Sequence, residues 1–229
     1  MNIAIIPARG GSKRIPRKNI KLFHGLPVIA YAIKTAQESR VFKEIYVSTD
    51  DEEIATIAKS FGAQVPRLRS EELSNDFATT VSVIKAEVMR LKSEFENIQN
   101  VCCIYPATPL LESKLILKGL EILETGDWNY VFPGVQVGAP AERLLTLGTS
   151  GEVNMTYPEH IITRTQDLPR TFYDAGQFYW GKALAWESGL PIFSSSSTIL
   201  EMPRDLIVDI DTLEDWHHAE RLFESSIRE

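Results

Sequence analysis

The fold of this chain is decided by the stretch Ile3-Ala4-Ile5-Ile6-Pro7-Ala8-Arg9-Gly10-Gly11-Ser12-Lys13-Arg14-Ile15-Pro16-Arg17-Lys18-Asn19-Ile20-Lys21. Residues 3–7 are a short apolar run, which predicts a buried strand. A glycine-rich loop follows, and six basic residues fall between Arg9 and Lys21 without one acid. Because glycine lets backbone N–H groups approach oxygen atoms closely, this basic loop (residues 9–21) is suited to a polyanion.

The basic loop contrasts with an otherwise acidic chain. The 229 residues carry a formal net charge of -7, yet the loop holds six of the 24 lysines and arginines. An acidic balance argues against a nucleic-acid partner, which needs a basic face, and a local basic loop fits a small phosphate ligand better. The loop is neither a Walker A loop nor the Gly-x-Gly-x-x-Gly pattern. A solvated charged turn is the alternative interpretation.

Outward from this loop, strand and helix patterns alternate along the chain. Strands are predicted at 3–7, 44–48, 63–66, 101–105, 128–137 with an interruption at Pro133-Gly134, 177–180 and 206–210. Helices are predicted at 27–39, from a cap at Asp50 or Asp51 to 61, and at 79–95, 113–125 and 212–226. Alternation of this kind predicts an α/β fold with a mostly parallel sheet covered on both faces.

The carboxyl ends of these strands are the expected ligand edge of the sheet. The basic loop, Asp50-Asp51 and residues 106–109 each follow a predicted strand, so we expect them to converge on one rim. The αβ rhythm fails between 138 and 173, which predicts a small inserted lobe within a core formed by 1–137 and 174–229. A polar run at 194–197 predicts a loop.

Two aspartates near the end of the chain are candidate metal ligands. In the predicted strand 206–210 and just beyond it, alternation would put Asp209 and Asp211 on one face, about 7 Å apart. Paired carboxylates near a triphosphate are an ordinary way to hold Mg²⁺. The alternative is a plain strand end at which Asp211 caps the last helix.

A third candidate is the strand predicted at 177–180, which alternates polar and aromatic residues. Gln177 and Tyr179 share one face, and Phe178 and Trp180 share the other. The polar face could recognise a sugar through hydrogen bonds. A half-buried aromatic strand without a ligand is the alternative.

The two cysteines, Cys102 and Cys103, are adjacent in an apolar run. Neighbours on a strand point to opposite faces, so we expect buried thiols without a disulfide, in a reducing compartment. No charged region precedes an apolar stretch at the start, and no apolar run approaches the length needed to span a bilayer. A cytoplasmic protein without a membrane partner is therefore expected.

Several motifs, in order along essentially the whole chain, resemble one enzyme family. Residues 6–19 look like the nucleotide-binding loop of the acylneuraminate cytidylyltransferases, which join a nine-carbon sugar acid to CMP. Residues 47–50 and 68–76 resemble the second and third motifs of that family. Residues 105–110 stand where its sialic acid enzymes have Gln-Pro-Thr-Ser-Pro-Leu, and residues 209–212 match its metal-binding pair.

The resemblance implies a Rossmann-like three-layer α/β sandwich, CTP and a nine-carbon sugar acid as substrates, and Mg²⁺. It also implies a homodimer in which the lobe 138–173 reaches into the partner's site. The residues implied for the nucleotide are Ala8, Arg9, Gly11, Ser12, Lys18, Asn19, Arg69 and Thr80. Those implied for the sugar are Tyr105, Arg164, Arg170, Gln177 and Tyr179. Those implied for the metal are Asp209 and Asp211, with Arg9, Lys18 and Asp211 as catalytic residues.

Two departures from the sialic acid enzymes bear on the sugar. Tyr105 replaces a glutamine, and residues 174–181 replace a segment containing Asn-Gly. Both look like the branch of the family that acts on pseudaminic acid for flagellin and surface-glycan glycosylation, and an aromatic pocket would suit its extra acyl and methyl groups. The alternatives are a sister enzyme for sialic, legionaminic or deoxy-octulosonic acid, and a non-catalytic nucleotide-binding module.

Overall fold

The computed structural model of the chain describes residues 1–203 and 207–227, which form an α/β fold. Its strands are β1 (Asn2–Pro7), β2 (Leu22–Phe23), β3 (Leu26–Pro27), β4 (Glu44–Ser48), β5 (Asn100–Ile104), β6 (Tyr130–Gln136), β7 (Leu145–Leu147), β8 (Val153–Met155), β9 (Phe172–Asp174), β10 (Phe178–Lys182) and β11 (Ser197–Glu201). Its helices are α1 (Val28–Ser39), α2 (Glu52–Ser60), α3 (Thr80–Lys92), α4 (Ser113–Thr125), α5 (Ala183–Ser188) and α6 (Leu213–Ile227).

The central sheet has the strand order β4-β1-β5-β10-β6-β11, and β9 pairs with the far end of β6. β1 is parallel to both β4 and β5, and β11 is parallel to β6. β10 runs antiparallel to β5 and β6 between them. The predicted class, α/β with a mainly parallel sheet, is confirmed.

Helices cover both faces of this sheet and make it the middle layer of three. The apolar side chains of α1, α2 and α4 share one core with alternate strand residues such as Cys102 and Trp180. Those of α3 and α5 share the opposite core with Cys103 and Tyr179. The two cysteines therefore point to opposite faces as predicted, both free and buried, and burial raises the pKa of each thiol.

A third core joins the basic loop to the end of the chain. Ile15 of the loop is buried together with Phe23, Ile210 and Trp216, the last from α6. This apolar contact explains how residues almost 200 positions apart come to lie beside each other. None of the helices within the described residues is long and apolar enough to cross a membrane.

Two strand predictions near the sheet edges are wrong, and one strand there was not predicted. Residues 63–66 form no strand, and a single bridge joins Gln64 to Tyr46. Residues 207–210 also form no strand, while Leu206 lies outside the described residues. The edge position beside β6 is taken instead by β11, which begins at Ser197 in the run predicted as a loop.

The predicted interruption of β6 at Pro133-Gly134 is also wrong, because the strand continues through both residues. On one side, Pro133 and Gly134 stay in register with β11. On the other side, β9 and β10 leave a gap at this point, where the Pro133 carbonyl accepts a hydrogen bond from the Ala175 amide at 3.0 Å. A proline is tolerated in a strand where the neighbouring ladder is already broken.

Gly181 in β10 is expected to be a sensitive point of the core. A Cβ atom there would lie 2.4 Å from Trp186 Nε1 and 2.6 Å from the Tyr130 ring. Because Trp186 Nε1 donates to the Val101 carbonyl, the ring cannot move without losing that bond. We expect Gly181→Ala to lower the free energy of unfolding in urea by about 1–3 kcal/mol, as overpacked cores do.

The matched control for that measurement is Gly11→Ala, because a Cβ atom at Gly11 meets nothing within 4 Å. Equal unfolding midpoints for the two variants would contradict the packing argument.

Candidate active site

The basic loop follows β1 and is closed by its own hydrogen bonds. The Asn19 side chain is buried and donates to the Arg9 carbonyl at 2.9 Å. The Lys18 amide donates to the Ile15 carbonyl at 3.1 Å. Asn19 therefore shapes the loop from within. The buried Ala8 aligns the end of β1 with β4, because its backbone amide donates a hydrogen bond to the Ser48 carbonyl at 2.9 Å.

One cation of the loop is structural. Arg17 donates to Asp51, and this bond holds the pKa of the Asp51 carboxyl below its usual range. Asp51 also caps α2 by accepting from the Ile54 amide at 2.9 Å, which confirms one of the two predicted caps. The other aspartate, Asp50, accepts from the Gly10 amide at 2.9 Å. The aspartates after β4 thus fix the loop that follows β1.

Gly10 allows this close approach between the loop and the aspartates. A Cβ atom at Gly10 would lie 2.7 Å from Asp51 Oδ2. A larger residue there would push the loop away from the start of α2.

Four other cations of the loop converge on two carboxylates. Arg9 and Lys13 both bind Asp76, at 2.8 and 2.5 Å. Arg14 and Lys18 both approach Asp211, at 2.7 and 3.6 Å. These pairs show that the predicted phosphate loop is already arranged around negatively charged oxygen atoms.

A cavity of about 300 Å³ lies between these pairs. It is lined by Arg9, Ser12, Lys13, Arg14, Lys18, Asn19 and Asp76. Four residues predicted to hold the nucleotide therefore line one cavity, and its cationic lining suits a phosphate group. Gly11 lies in the same loop between them.

The two remaining nucleotide candidates, Arg69 and Thr80, lie outside the loop. Arg69 comes after α2 in the chain but lies beside the end of β4, where its amide donates to the Thr49 carbonyl at 2.7 Å. Burial lowers the pKa of the Arg69 guanidinium, and the charge of Arg9 lowers it further. Thr80 begins α3, and its hydroxyl lies 2.9 Å from that of Tyr105. Thr80 thus borders the tyrosine that was assigned to the sugar.

The predicted metal pair lies against the basic loop, but not on a strand. Lys18 Nζ donates to the Ile210 carbonyl at 2.6 Å, so the loop holds the residue between the two aspartates. Asp209 remains open to solvent, yet partial desolvation raises the pKa of its carboxyl, and the charge of Asp211 raises it further. The two carboxylates therefore interact electrostatically without a strand to align them.

Asp211 is not the cap of the last helix. Thr212 takes that role, because its hydroxyl accepts from the Asp215 amide at 3.2 Å while the Asp215 carboxylate accepts from the Thr212 amide at 2.7 Å. This reciprocal arrangement is a capping box. The Asp211 carboxylate is left facing Arg14 and Lys18.

The chemistry of this donor set fits Mg²⁺. Within the described residues, no group of three or more acidic, histidine or cysteine side chains is arranged to hold a metal ion by itself. Mg²⁺ is commonly held by one or two carboxylates together with substrate phosphates, rather than by an all-protein cage. Asp209 and Asp211 beside a phosphate-sized cavity provide that smaller set.

Three residues predicted for the sugar come together where β5 ends and β10 begins, and the Tyr105 amide donates to the Gln177 carbonyl at 2.8 Å. The rings of Tyr105 and Tyr179 meet edge to face with centroids 5.3 Å apart. Tyr179 is buried, and its hydroxyl donates to Asp174. Burial raises the pKa of both tyrosines. Gln177 is only 2% exposed, and its Oε1 atom has no hydrogen-bond partner among the residues that the structure describes.

The two arginines predicted for the sugar lie elsewhere. Arg164 is exposed within residues 138–173 and pairs with Asp167 at 2.8 Å. Arg170 pairs with Glu201 at 2.7 Å and donates to Gln136 at 3.0 Å, at the base of that segment. Neither pairing brings an arginine to the two tyrosines of the same chain.

Asp76 and Asp174 are acidic residues of the site that sequence reasoning did not assign. Asp76 ends the motif 68–76 and Asp174 begins the segment 174–181, but the sequence predicts a role for neither residue. The one local signal is at Asp174, two residues before a glycine, where an aspartate often accepts from the backbone. Asp174 does so, from the Gly176 amide at 3.1 Å.

Comparison with known proteins adds independent findings. The sequence profile of a family described as "Cytidylyltransferase" matches residues 3–220. A pseudaminic acid cytidylyltransferase of Campylobacter jejuni is 39% identical over 97% of this chain and 96% of its own length. N-acylneuraminate cytidylyltransferase A of Danio rerio is 33% identical over 95% of this chain and 50% of its own length.

The fold is also similar to that of solved structures. A CMP:2-keto-3-deoxy-manno-octonic acid synthetase complexed with CTP superposes with a TM-score of 0.68. The match covers 98% of this chain and 99% of that one, with 16% sequence identity. At this identity the similarity establishes the fold alone.

Proposed function

The chain belongs to the cytidylyltransferase family, and from this premise we propose that it transfers CMP from CTP to the anomeric hydroxyl of pseudaminic acid, releasing pyrophosphate. The observation that carries the proposal is the full-length similarity to the Campylobacter jejuni enzyme of that name. The aromatic pair of Tyr105 and Tyr179 supports the choice of sugar, because an apolar surface suits methyl and acyl groups.

The nucleotide would bind with its phosphates in the cavity of the basic loop. Arg9 and Lys18 are the cations best placed to neutralise phosphate oxygens, because both line the cavity and each is held beside a carboxylate, Arg9 by Asp76 and Lys18 by Asp211. Ser12 adds a hydroxyl donor in the same lining. Charge-assisted hydrogen bonds of this kind are about twice as strong as neutral ones.

Asp209 and Asp211 would hold Mg²⁺ together with the phosphates. Bound there, the ion would supply Lewis-acid neutralisation of phosphate charge and would favour ionisation of the attacking hydroxyl. Asp211 would also orient that hydroxyl, since its carboxylate faces the cations that line the phosphate cavity.

In the reaction, the anomeric oxygen would attack the α-phosphorus of CTP in line with the departing pyrophosphate. The bond between the α-phosphorus and the bridging oxygen breaks as the new bond to the sugar oxygen forms. The protein contributes mainly positioning and charge neutralisation, as in other transfers to phosphorus. The loop cations would act on the phosphates, and the tyrosine side of the site would align the sugar.

The protein would work as a homodimer formed through the lobe 138–173. β7 and β8 pair as a hairpin, with Leu147 opposite Val153 and Leu145 on the same face. The exposed large apolar residues of the lobe are Leu144, Leu145, Leu147, Val153, Tyr157, Ile161, Ile162 and Tyr173. Such an apolar patch on one small lobe is typical of a protein interface. Arg164 or Arg170 would then hold the sugar carboxylate in the neighbouring subunit.

We expect the double substitution Leu147→Asp with Val153→Asp to convert the dimer into a monomer, because two carboxylates would be buried without partners. Size-exclusion chromatography with light scattering measures the change, and turnover of the sugar acid should fall with it. Leu184→Asp is the control, since it removes an equally exposed leucine from α5. A wild-type monomer at micromolar concentration would contradict the interface.

The function is tested by pyrophosphate release from CTP and Mg²⁺ with pseudaminic, legionaminic, sialic and deoxy-octulosonic acids in parallel. Turnover with pseudaminic acid alone is the expected result. Turnover with another acid instead would keep the chemistry and overturn the choice of sugar. No turnover with any acid, while CTP still binds, would overturn the catalytic proposal in favour of a nucleotide-binding module.

A further inference from the structure

A large bulge lies between β9 and β10, next to the proposed metal pair. Gly134 of β6 pairs with Asp174, and Val131 pairs with Trp180. Two residues of β6 therefore lie opposite five residues, 175–179, of the neighbouring chain. The bulge turns at Gly176, whose φ of +61° favours glycine. Bulges beside active sites commonly aim a side chain or place a backbone segment.

Asp174 holds this bulge by two hydrogen bonds. One carboxylate oxygen accepts from the Gly176 amide at 3.1 Å, and the other accepts from the Tyr179 hydroxyl. The Tyr179 ring in turn packs against the Tyr105 ring, and the Tyr105 hydroxyl is hydrogen-bonded to the Thr80 hydroxyl at the start of α3. A connected set of side chains thus runs from α3 across β5 and β10 to the bulge.

Gly176 is the residue of the bulge that lies beside Asp209, one member of the proposed metal pair. A Cβ atom at Gly176 would lie 3.3 Å from Asp209 Cγ and 3.4 Å from its Oδ2. The Gly176 backbone is therefore in close contact with the Asp209 carboxylate. Because residues 207–210 form no strand, a ladder of strand hydrogen bonds does not fix that carboxylate, and the contact with Gly176 restrains where it lies.

We propose that Asp174 is a positioning residue of the site, which sets Gly176 against Asp209 and thereby fixes the Asp209 carboxylate relative to Tyr105 and Tyr179. This inference rests on the proposed function, in which Asp209 holds a divalent cation with the nucleotide. Residues that orient metal ligands without touching the metal typically change metal affinity or activity by about 10- to 100-fold when they are replaced.

The test compares Asp174→Asn with Asp174→Ala. Asparagine keeps an oxygen that accepts from the Gly176 amide and an amide group that can bond the Tyr179 hydroxyl, whereas alanine removes both bonds. The measurement is Mn²⁺ binding to the protein with CTP and without any sugar acid, followed by electron paramagnetic resonance. Asp127→Asn is the matched control, because Asp127 is fully exposed and its substitution removes the same charge.

We expect Asp174→Ala to weaken Mn²⁺ binding about 10-fold or more, and Asp174→Asn to stay within about threefold of the wild-type protein. Binding of CTP without metal should be equal in all variants. Wild-type binding by Asp174→Ala would overturn the proposal, and so would equal losses in the two variants, since the charge of Asp174 rather than its geometry would then be responsible.

Tyr179→Phe keeps the proposal testable if Asp174→Ala does not fold. It removes one donor to Asp174 while keeping the packed ring, and it should weaken Mn²⁺ binding in the same direction. Unchanged binding in Tyr179→Phe, together with unchanged binding in Asp174→Asn, would overturn the proposal in that case. Because no sugar acid is present, failure of the proposed function in the sugar panel is a separate outcome from failure of this inference.

Discussion

Replacing Asp211 with alanine is expected to lower the rate of pyrophosphate release by about 10³-fold. The Asp211 carboxylate lies 2.7 Å from Arg14 and 3.6 Å from Lys18, and it interacts with Asp209. In the proposed site, Asp211→Ala would leave one carboxylate to hold Mg²⁺ beside the phosphates. Loss of several kcal/mol of charge stabilisation in the transition state is the usual consequence, and about 4 kcal/mol corresponds to the stated factor.

The fold of Asp211→Ala should be unchanged. Asp211 does not cap α6, because Thr212 and Asp215 form the capping box between themselves. Far-ultraviolet circular dichroism and urea unfolding should therefore match the wild-type protein closely. Asp127→Ala provides the control for loss of one carboxylate from an exposed position.

A rate for Asp211→Ala close to that of the wild-type protein at every Mg²⁺ concentration, limiting concentrations included, would contradict the role of Asp211. A reduced rate that recovers fully as Mg²⁺ increases would instead assign Asp211 to metal affinity alone. Titration of Mg²⁺ in both proteins separates orientation of the hydroxyl from metal binding.

The parts of the fold that could be predicted from the sequence are those fixed by local patterns. Residues 3–7 are apolar and end at a glycine-rich loop, and they form β1. The Asp51 side chain accepts a hydrogen bond from the backbone amide of Ile54, three residues later, and so caps α2. In both cases the chemistry of a few adjacent residues determines the structure, so that no knowledge of the remaining chain is needed.

The strands that were mispredicted depend on partners far along the chain. Residues 207–210 alternate like a strand, but the edge of the sheet beside β6 is already occupied by β11. β11 itself begins with Ser197 in a polar run, which has no strand pattern of its own. A strand exists only where another strand offers free N–H and C=O groups, and the sequence does not state which edge is free.

The residues of the site divide in the same way, into features that local sequence predicts and contacts that depend on distant partners. The cations of the basic loop were evident from their spacing, but their pairing with Asp76 and Asp211 joins residues about 60 and 200 positions apart. Gln177 and Tyr179 were predicted to share one strand face, but β10 begins only at Phe178, and the burial of Tyr179 depends on the helices packed over its face. Residue types thus identified the chemistry, whereas long-range packing determined which groups meet.

Replacing Lys18 with alanine is expected to have the second large effect, since Lys18 serves two parts of the site. Its Nζ atom donates to the Ile210 carbonyl at 2.6 Å and lies 3.6 Å from Asp211, and it also lines the phosphate cavity. We expect kcat/KM for CTP to fall by about 10²- to 10³-fold, as when a preorganised donor is removed. The free energy of unfolding should fall by about 1.5–3 kcal/mol through loss of a charged hydrogen bond.

Lys13→Ala is the matched control, because it removes the same charge from the same loop and the same cavity. The Lys13 side chain is 77% exposed and shares Asp76 with Arg9, whereas Lys18 is 22% exposed. An exposed ion pair contributes about 1 kcal/mol or less, so Lys13→Ala should lower the free energy of unfolding only slightly. Because the Lys13 ammonium is mostly in solvent, kcat/KM for CTP should fall less than in Lys18→Ala. Equal losses in the two variants would mean that the loop acts as a diffuse positive surface. A large loss of kcat/KM and of stability confined to Lys18→Ala would mean that Lys18 joins the phosphate cavity to Asp211 and Ile210. The phosphate cavity and the carboxylates would then depend on this one lysine for their relative position.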